Sequence, residues 1–595
     1  NAYVKLFIII SGLIPALTLH ASSDKLKKDV VARINTREVK VEEFQNRLNN
    51  LPMPMAGSGN ELKENLLCTI AAETILSYEA LSGKLDTVEI VKRYINEYEN
   101  EALYEQWMSA EITSQVSISD DELREGYKKF REERYLEFWT FKSKGDALEF
   151  REAAMNGTAP ILEAQTKKLN FGESLKEVED AVYSLKEDGI AEPILVDSAY
   201  YVFKLVKKSL HPQHGTQNFV YWEPSVERII RDRKERAIMN EKLSALMSGK
   251  SFVIQKDVYK YVLDRLYPII YNRPPMRNDM AEIIQKDIQV NTPPDADMMS
   301  RPLVVFGDNS VWTAEEFWKR LSVSPYPLNY KDQRDLTPGV IDVIRKMVLA
   351  ESITEDARKK SYDNLVYAKE QTEMWKSNLL AQALVEEYRK AINISRSDLI
   401  KYYESNQKDF IRPEQRKILP IIVKNKELAE KIYTEIQNGA DMLELAKRYS
   451  MNKSFLNEKE PGIFIEKDYW GAAGKAAFAI KPGEISKPLA LDDSSYAIVK
   501  VLEVKESGLY QFDEVSGQIA SICEDKELQL KINELLLNVA DKYEIEINRE
   551  AFNSAAFLGG GLAVRKTHFP LRNASPGFLF FNHNAEWYKR ALKGK

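Results

Sequence analysis

Ala476-Ala477-Phe478-Ala479-Ile480-Lys481-Pro482-Gly483-Glu484-Ile485-Ser486-Lys487-Pro488-Leu489 is the stretch that decides how this chain folds. An apolar helix end runs into Lys-Pro-Gly-Glu, where proline fixes φ and glycine permits a reversal. A short strand is expected next, followed by a β-rich, partly alternating segment at 495–502. Upstream, Leu428, Ile432 and Ile436 stand at helical spacing and the pattern stops at Asn438-Gly439, a C-cap signal. A second short helix puts Leu445, Ala446 and Tyr449 on one side. The order over 411–504 is strand, helix, short helix, loop, short helix, turn, strand.

These words, in this order, resemble a parvulin-type peptidylprolyl isomerase domain. The resemblance rests on Asn438-Gly439-Ala440-Asp441 leading to Leu445-Ala446-Lys447-Arg448-Tyr449-Ser450, then on Pro461-Gly462-Ile463-Phe464. It continues through Ala476-Ala477-Phe478 and Lys481-Pro482-Gly483-Glu484-Ile485-Ser486 to Tyr496-Ala497-Ile498-Val499-Lys500.

The chain has 595 residues, room for several domains, and its 44% apolar and 29% charged residues suit globular cores. A net charge of −6 without a long basic run argues against nucleic acid as a partner. Lys5, the apolar run 7–19 and Leu19-His20-Ala21 read as a secretory signal cleaved after Ala21. The run is short for a membrane span and contains Pro15, and no cysteine follows it to carry a lipid. A soluble, exported, periplasmic protein is expected. Cys68 and Cys523 each fall inside an apolar helical pattern and read as buried small hydrophobes, not as a disulfide framework.

Phrases recur along the chain. Glu42-Glu43-Phe44 with Arg47-Leu48 returns as Glu315-Glu316-Phe317 with Arg320-Leu321. Ser119 and Ser395 each precede an acid by three positions, the spacing of a helix N-cap. Asn156-Gly157 matches Asn438-Gly439, and Tyr200-Tyr201-Val202-Phe203-Lys204 matches Tyr496-Ala497-Ile498-Val499-Lys500. The offsets drift slowly, as loop insertions would make them, so an internal duplication is expected. The layout expected is a signal at 1–21, a helical segment at 22–133, a degenerate parvulin-like domain at 134–208, and a closing helix and strand at 209–265. A proline-rich linker at 266–302 leads to a second helical segment at 303–410. A parvulin-like domain at 411–506, a closing helix and strand at 507–550, and a tail at 551–595 without a counterpart complete it.

This layout resembles the exported foldases of the SurA and PrsA type. The resemblance implies an α+β multidomain protein in which helical chaperone modules carry two inserted parvulin-like domains, each a small antiparallel sheet covered by helices. It also implies, for an active isomerase, one histidine on the first strand and one on the last, around a central acid or cysteine. Those places fall at Leu419 or Pro420 and at Ala497, and in the first unit at Phe138 or Trp139 and at Tyr201. None is histidine. The five histidines of the chain, His20, His211, His214, His568 and His583, all lie outside both units. Pro420 also removes a ladder donor, which suits a central strand poorly. The pocket phenylalanine that the family places before Ala476 is replaced by Ala473 or Gly474.

Prolyl rotation has a barrier of ~20 kcal/mol, which an enzyme lowers mainly by desolvating and twisting the bond. The resemblance gives the histidines a role in shaping that site, and no catalytic residue is assigned here. Phe464, Trp470, Phe478 and Tyr496 are the expected substrate contacts. His211 and His214 stand three apart without an acid or cysteine cluster, so no metal or cofactor is expected. Thr158 and Ser450 lack a histidine–acid arrangement, and Asp441, Glu444 and Glu466 read as solvated acids. The charged stretch 228–242 reads as an exposed face, with a basic stripe that could hold acidic clients.

The expected function is an exported chaperone for unfolded or nascent exported proteins, outer-membrane proteins among them. It would bind through many weak apolar contacts, with Leu51, Met53 and Met55 as candidates. An isomerase working through the second unit is the alternative activity. A structural adaptor is the other, suggested by the aromatic tail with Phe578, Phe580, Phe581 and Trp587.

Overall fold

The capping and turn signals become the punctuation of the fold. Ser119 accepts from the Glu122 N–H while the Glu122 carboxylate accepts from the Ser119 N–H, a complete capping box. Ser395 caps its helix through the Asp398 N–H. At Lys481-Pro482-Gly483-Glu484 the chain reverses with Gly483 at φ 87° and the Glu484 N–H on the Lys481 carbonyl at 3.0 Å. The structure is a computed structural model that describes residues 26–49, 59–212, 218–271, 295–324, 326, 328, 333–456, 460–492, 495–556 and 581–593. The signal segment, Leu51, Met53, Met55, His214, His568, Phe578 and Phe580 lie outside them.

The chain divides into two units, Asn1–Leu384 with Tyr543–Lys595, and Val385–Lys542. The first unit opens on a hairpin of β1 (Val30–Ile34) and β2 (Arg37–Lys40), followed by helices Val41–Asn49, Asn60–Ser82, Glu89–Glu111 and Asp120–Phe130. An antiparallel sheet follows, of β3 (Glu132–Phe141), β4 (Gln165–Leu169), β5 (Ile194–Val196) and β6 (Ala199–Leu210), in the order β4-β3-β6-β5. Helix Phe219–Met247 leads to β7 (Phe252–Ile254) and helix Lys256–Tyr271. A second opening set comes next: β8 (Pro302–Phe306), β9 (Val311–Thr313), and helices Ala314–Leu321, Gln333–Lys359 and Val366–Lys390.

The second unit holds β10 (Ile411–Arg412), β11 (Gln415–Val423), β12 (Ile463–Ile465), β13 (Leu489–Asp492), β14 (Ser495–Lys505) and β15 (Gly508–Leu509). Its four-stranded sheet runs β12-β11-β14-β13, the same order as in the first sheet. Helices Arg396–Ser405 and Phe512–Val539 pack together around Phe410, Val515 and Ile519. The chain then returns to the first unit with β16 (Ile545–Ile547) and helices Arg549–Ser554 and Glu586–Ala591.

The opening and closing pieces are exchanged. β7 pairs with β8, so the strand that closes the first half joins the hairpin that opens the second. β16 pairs with β1, so the last strand of the chain joins the first. Three-residue ladders alone are marginal. The helices behind them supply more, because each fully buried Val, Leu or Phe contributes roughly 1.5–3 kcal/mol. Val258, Val262 and Leu266 of helix Lys256–Tyr271 are buried in one cluster with Phe317 and Leu321. Phe552 of helix Arg549–Ser554 lies 5.6 Å from Phe44 between ring centroids.

Two sequence expectations change here. Helix Lys256–Tyr271 continues into the stretch expected as a linker from 266, because its apolar positions recur at helical spacing and are buried. Helix Arg549–Ser554 runs across the boundary expected at 551 between the closing strand and the tail. The tail aromatics Phe581 and Trp587 are buried, with rings in an edge contact at 5.8 Å, and are not a free docking surface. Cys68 is buried, Cys523 is half-buried, and both are free thiols. Among the described residues no helix is long and apolar enough to cross a membrane.

Candidate functional site

Strand alternation settles which residues share the face where an isomerase keeps its histidines. In β11, Leu419, Ile421 and Val423 pack on the helices Lys426–Gln437 and Met442–Tyr449. Ile418 belongs to the opposite face, with Val499, Val501, Ala473 and Ala477. Pro420 and Ile422 alternate onto that same face, where Pro420 pairs with Val499 and Ile422 with Ala497. Of the two positions expected for the first histidine, Pro420 is therefore the one beside Ala497, and Leu419 looks the other way.

Pro420 fits its central strand for a specific reason. The Val499 N–H donates to Ser486 Oγ at 2.9 Å, and the Val499 carbonyl accepts from the Ser486 N–H at 2.7 Å. Val499 thus turns both backbone groups towards Ser486, so Pro420 and Val499 form a non-hydrogen-bonded pair. On the other side β12 pairs only with Arg416, Lys417 and Ile418. The missing donor of Pro420 breaks no rung of either ladder.

The four expected substrate contacts do not come together. Trp470 and Phe478 belong to the Pro420–Ala497 face. Tyr496 packs with Leu419 and Ile421 on the helix-covered face. Phe464 pairs with Lys417 and carries the Lys505 ammonium 3.9 Å from its ring centroid, while its neighbours Ile463 and Ile465 turn inward. Even Phe478 is engaged, since the Arg416 guanidinium lies 4.8 Å over its ring. The same guanidinium donates to the Ala477 carbonyl at 2.7 Å and to that of Ile480, closing the helix end. Trp470 has φ 72°, unusual for a bulky residue, and meets Phe455 edge-on at 5.2 Å. At Gly474 an added Cβ would stand 2.2 Å from the Tyr469 carbonyl oxygen, so no pocket side chain can occupy that place.

The corresponding face of the first sheet is aromatic. Phe138 pairs with Phe203 across the strands, and Tyr201 lies one alternation away. Their ring centroids are 5.8 Å (Phe138–Phe203), 6.0 Å (Tyr201–Phe203) and 6.1 Å (Phe138–Tyr201) apart. Phe203 is buried, Phe138 and Tyr201 are half-buried, and Ile194 on the adjoining β5 pairs with Tyr201 and is half-buried on the same face. Trp139 is on the other face, against Phe150. Sequence reasoning named Phe138 and Tyr201 only as places lacking histidine. The signal for an aromatic face was the alternation of Tyr201 and Phe203.

The remaining candidates have structural employment. Asp441 caps helix Met442–Tyr449, Glu444 pairs with Lys447, and Glu466 is exposed. Ser450 Oγ accepts from the Ile422 N–H and donates to the Asn452 carbonyl. Thr158 donates to the Ala153 carbonyl. The basic stripe at 228–242 is internally paired: Arg233 with the buried Glu179, Lys234 with Glu122, Lys242 with Glu111. His211 Nε2 is 3.9 Å from Glu133, and His583 Nδ1 is 2.7 Å from Asn65 Oδ1. Among the described residues no group of three or more His, Cys, Asp and Glu could hold a metal.

Residues 394–517 match the PPIC-type PPIASE domain family. The chain is 30% identical over 224 residues to foldase protein PrsA 3 of Bacillus anthracis, covering 35% of this chain and 73% of that protein. It is 30% identical over 199 residues to the PrsA foldase of Caldanaerobacter subterraneus, covering 32% of this chain and 60% of that one. It is 25% identical over 287 residues to the periplasmic chaperone PpiD of Haemophilus influenzae, covering 41% and 45%. Among solved structures, one of the SurA-like chaperones of Campylobacter jejuni aligns at 20% identity and a TM-score of 0.21, over 34% of this chain and 83% of that one.

Proposed function

Because this chain belongs to the PrsA- and SurA-like foldases, we propose that it is an exported chaperone that holds unfolded clients and does not isomerise prolyl bonds efficiently. The observation that carries the second half of this reading is the Pro420–Ala497 face. Apolar side chains fill it, and its one guanidinium is tied to a helix end. Among the described residues none on that face donates to the prolyl nitrogen or holds the twisted amide by charge. Export is supported by the run 7–19 before Ala21. Two copies of one helix–parvulin–helix plan are supported by the shared strand order of the two sheets and by the recurring phrases.

Client contact is best placed on the aromatic face of the first sheet. Phe138 and Tyr201 present half-buried rings beside Ile194, and aromatic surface of this kind binds extended apolar segments without demanding one sequence. The test is suppression of aggregation of a chemically unfolded outer-membrane-type client at rising ratios of the protein. The Phe138→Ser/Tyr201→Ser variant should need severalfold more protein for the same suppression. Equal potency of that variant and the parent chain would remove this face from the account.

A further inference from the structure

Residues 581–593 join the first unit as a separate piece, connected to Ala556 through residues 557–580. They lie along helix Asn60–Ser82, against which helix Glu586–Ala591 packs. Side chains of the long helix address the backbone of the tail. Thr69 Oγ1 accepts from the Phe581 N–H at 3.2 Å, and Asn65 Oδ1 accepts from the His583 N–H at 3.0 Å. Between them Cys68 Sγ donates to the Asn582 carbonyl at 3.5 Å. Asn65, Cys68 and Thr69 are all buried. Buried polar groups need partners, and here the partners are peptide groups, which every sequence carries.

The tail's own side chains add a grip of a general kind. Phe581, Trp587 and Tyr588 are buried, with ring centroids 5.8 Å apart for Phe581 and Trp587 and 5.5 Å for Trp587 and Tyr588. The fit is imperfect. Trp587 Nε1 and Tyr588 Oη are buried with no hydrogen-bond partner among the described residues, and a group left in that state weakens the docking. His583 Nδ1 adds a contact to Asn65 Oδ1 at 2.7 Å. At the end of the tail the strand pairing is one parallel bridge, Leu592 to Ile545, with the Lys593 N–H on the Ile545 carbonyl at 2.9 Å. Lys593 also pairs with Glu544 and Glu546, exposed contacts that contribute little. Most of what holds the tail is therefore common to any polypeptide that carries aromatic residues.

We propose that residues 581–593 are an internal stand-in for a client. The seat on helix Asn60–Ser82 takes a polypeptide segment with aromatic residues spaced as Phe581 and Trp587, and the tail leaves when such a segment arrives. Aromatic side chains bring large contact area, and the peptide groups are read without regard to sequence. Tail and seat belong to one chain, so the tail docks intramolecularly and a client displaces it only by exceeding that advantage. A folded protein keeps its aromatic segments inside and is refused, whereas an unfolded one offers them. The inference rests on the chaperone reading and adds to it a second client surface, on a different element from the first sheet.

The test uses the full chain, a variant with Phe581→Ser and Trp587→Ser that loosens the tail, and a fluorescent synthetic peptide of residues 581–595. The peptide should bind the variant at least about tenfold more tightly than the parent chain, because the tail no longer competes. The same peptide carrying the two serines should bind neither. In the parent chain, an unfolded client should speed deuterium exchange of the amides of residues 581–593 severalfold. That measurement needs no substitution and decides the matter if the variant fails to fold. Suppression of client aggregation with unchanged exchange at 581–593 overturns the inference and leaves the chaperone reading intact. Equal peptide binding by a folded variant and the parent chain overturns it as well. Absence of suppression, with the peptide still preferring the variant, would strike the chaperone reading and leave the seat assigned to aromatic polypeptide segments.

Discussion

The rings of Tyr98 and Trp375 stack 5.1 Å apart with their planes 3° from parallel, and each follows a left-handed residue, Lys84 or Ser361, that precedes a short helix. The interval from Lys84 to Tyr98 equals that from Ser361 to Trp375. On the proposed two-copy reading the pair is a two-fold-like contact, as at the centre of an isologous dimer. Here both partners are in one chain and one unit.

Both rings are buried, with 4% and 8% of their surface exposed, so truncating either should be costly. Tyr98→Ala and Trp375→Ala should each destabilise the first unit by about 3–5 kcal/mol in urea unfolding. The double variant should fall short of the sum, by a coupling of about 0.5–1.5 kcal/mol. Strict additivity would mean that the stack contributes nothing beyond burial.

The exchanged strands predict how the halves behave when the chain is cut. With a protease site placed between 272 and 294, cleaved protein should elute from size exclusion as one particle holding both fragments. β1 needs β16 and β8 needs β7, so neither half alone completes its opening sheet. Fragments that separate without denaturant would contradict the exchange.

Arg47 and Glu73 form a buried ion pair, with 2.6 Å between Arg47 Nη2 and Glu73 Oε2. Glu73→Gln leaves the buried Arg47 guanidinium only the longer Glu43 contact, 3.4 Å, and should cost about 3–5 kcal/mol. Replacing both, by Arg47→Met with Glu73→Leu, should cost much less, because no charge is then stranded. A double variant worse than the single one would show that the hydrogen bonds themselves hold the helices.

Glu111 gives the acid limb of stability. It accepts from Lys242 at 2.8 Å, Lys360 at 2.7 Å and Tyr362 at 2.7 Å, tying helix Phe219–Met247 to the second opening set. These bonds hold its carboxyl down at about 2, against an ordinary value of 4.5. A depressed carboxyl stabilises above its unfolded value, and that contribution fades as pH falls from about 4.5 towards 2. Melting curves across that range should show a shallower loss in Glu111→Gln than in the parent chain, and identical slopes would place the acid sensitivity elsewhere.

Much of the fold was legible because its words are local. Lys481-Pro482-Gly483-Glu484 turns, Ser119 and Ser395 cap, and the absence of histidine from both parvulin-like units needs no structure to see. What escaped is non-local. Phe252-Val253-Ile254 and Ile545-Glu546-Ile547 are short alternating strands, and nothing in such a strand says which of two similar hairpins it will join. Phe464 and Tyr496 stand beside Trp470 and Phe478 among the expected substrate contacts, and the structure parts them. Strand alternation, shifted by the irregular step between Lys417 and Ile418, sends them to the other face.

The most direct test of the account puts one sample through two assays: suppression of aggregation of an unfolded client, and refolding of a protein whose slow step is prolyl isomerisation. The account predicts suppression at near-stoichiometric amounts and an unchanged slow refolding phase at catalytic amounts. Acceleration of that phase with turnover would contradict it, and would mean that an apolar face built around Pro420 and Ala497 suffices to twist the prolyl bond.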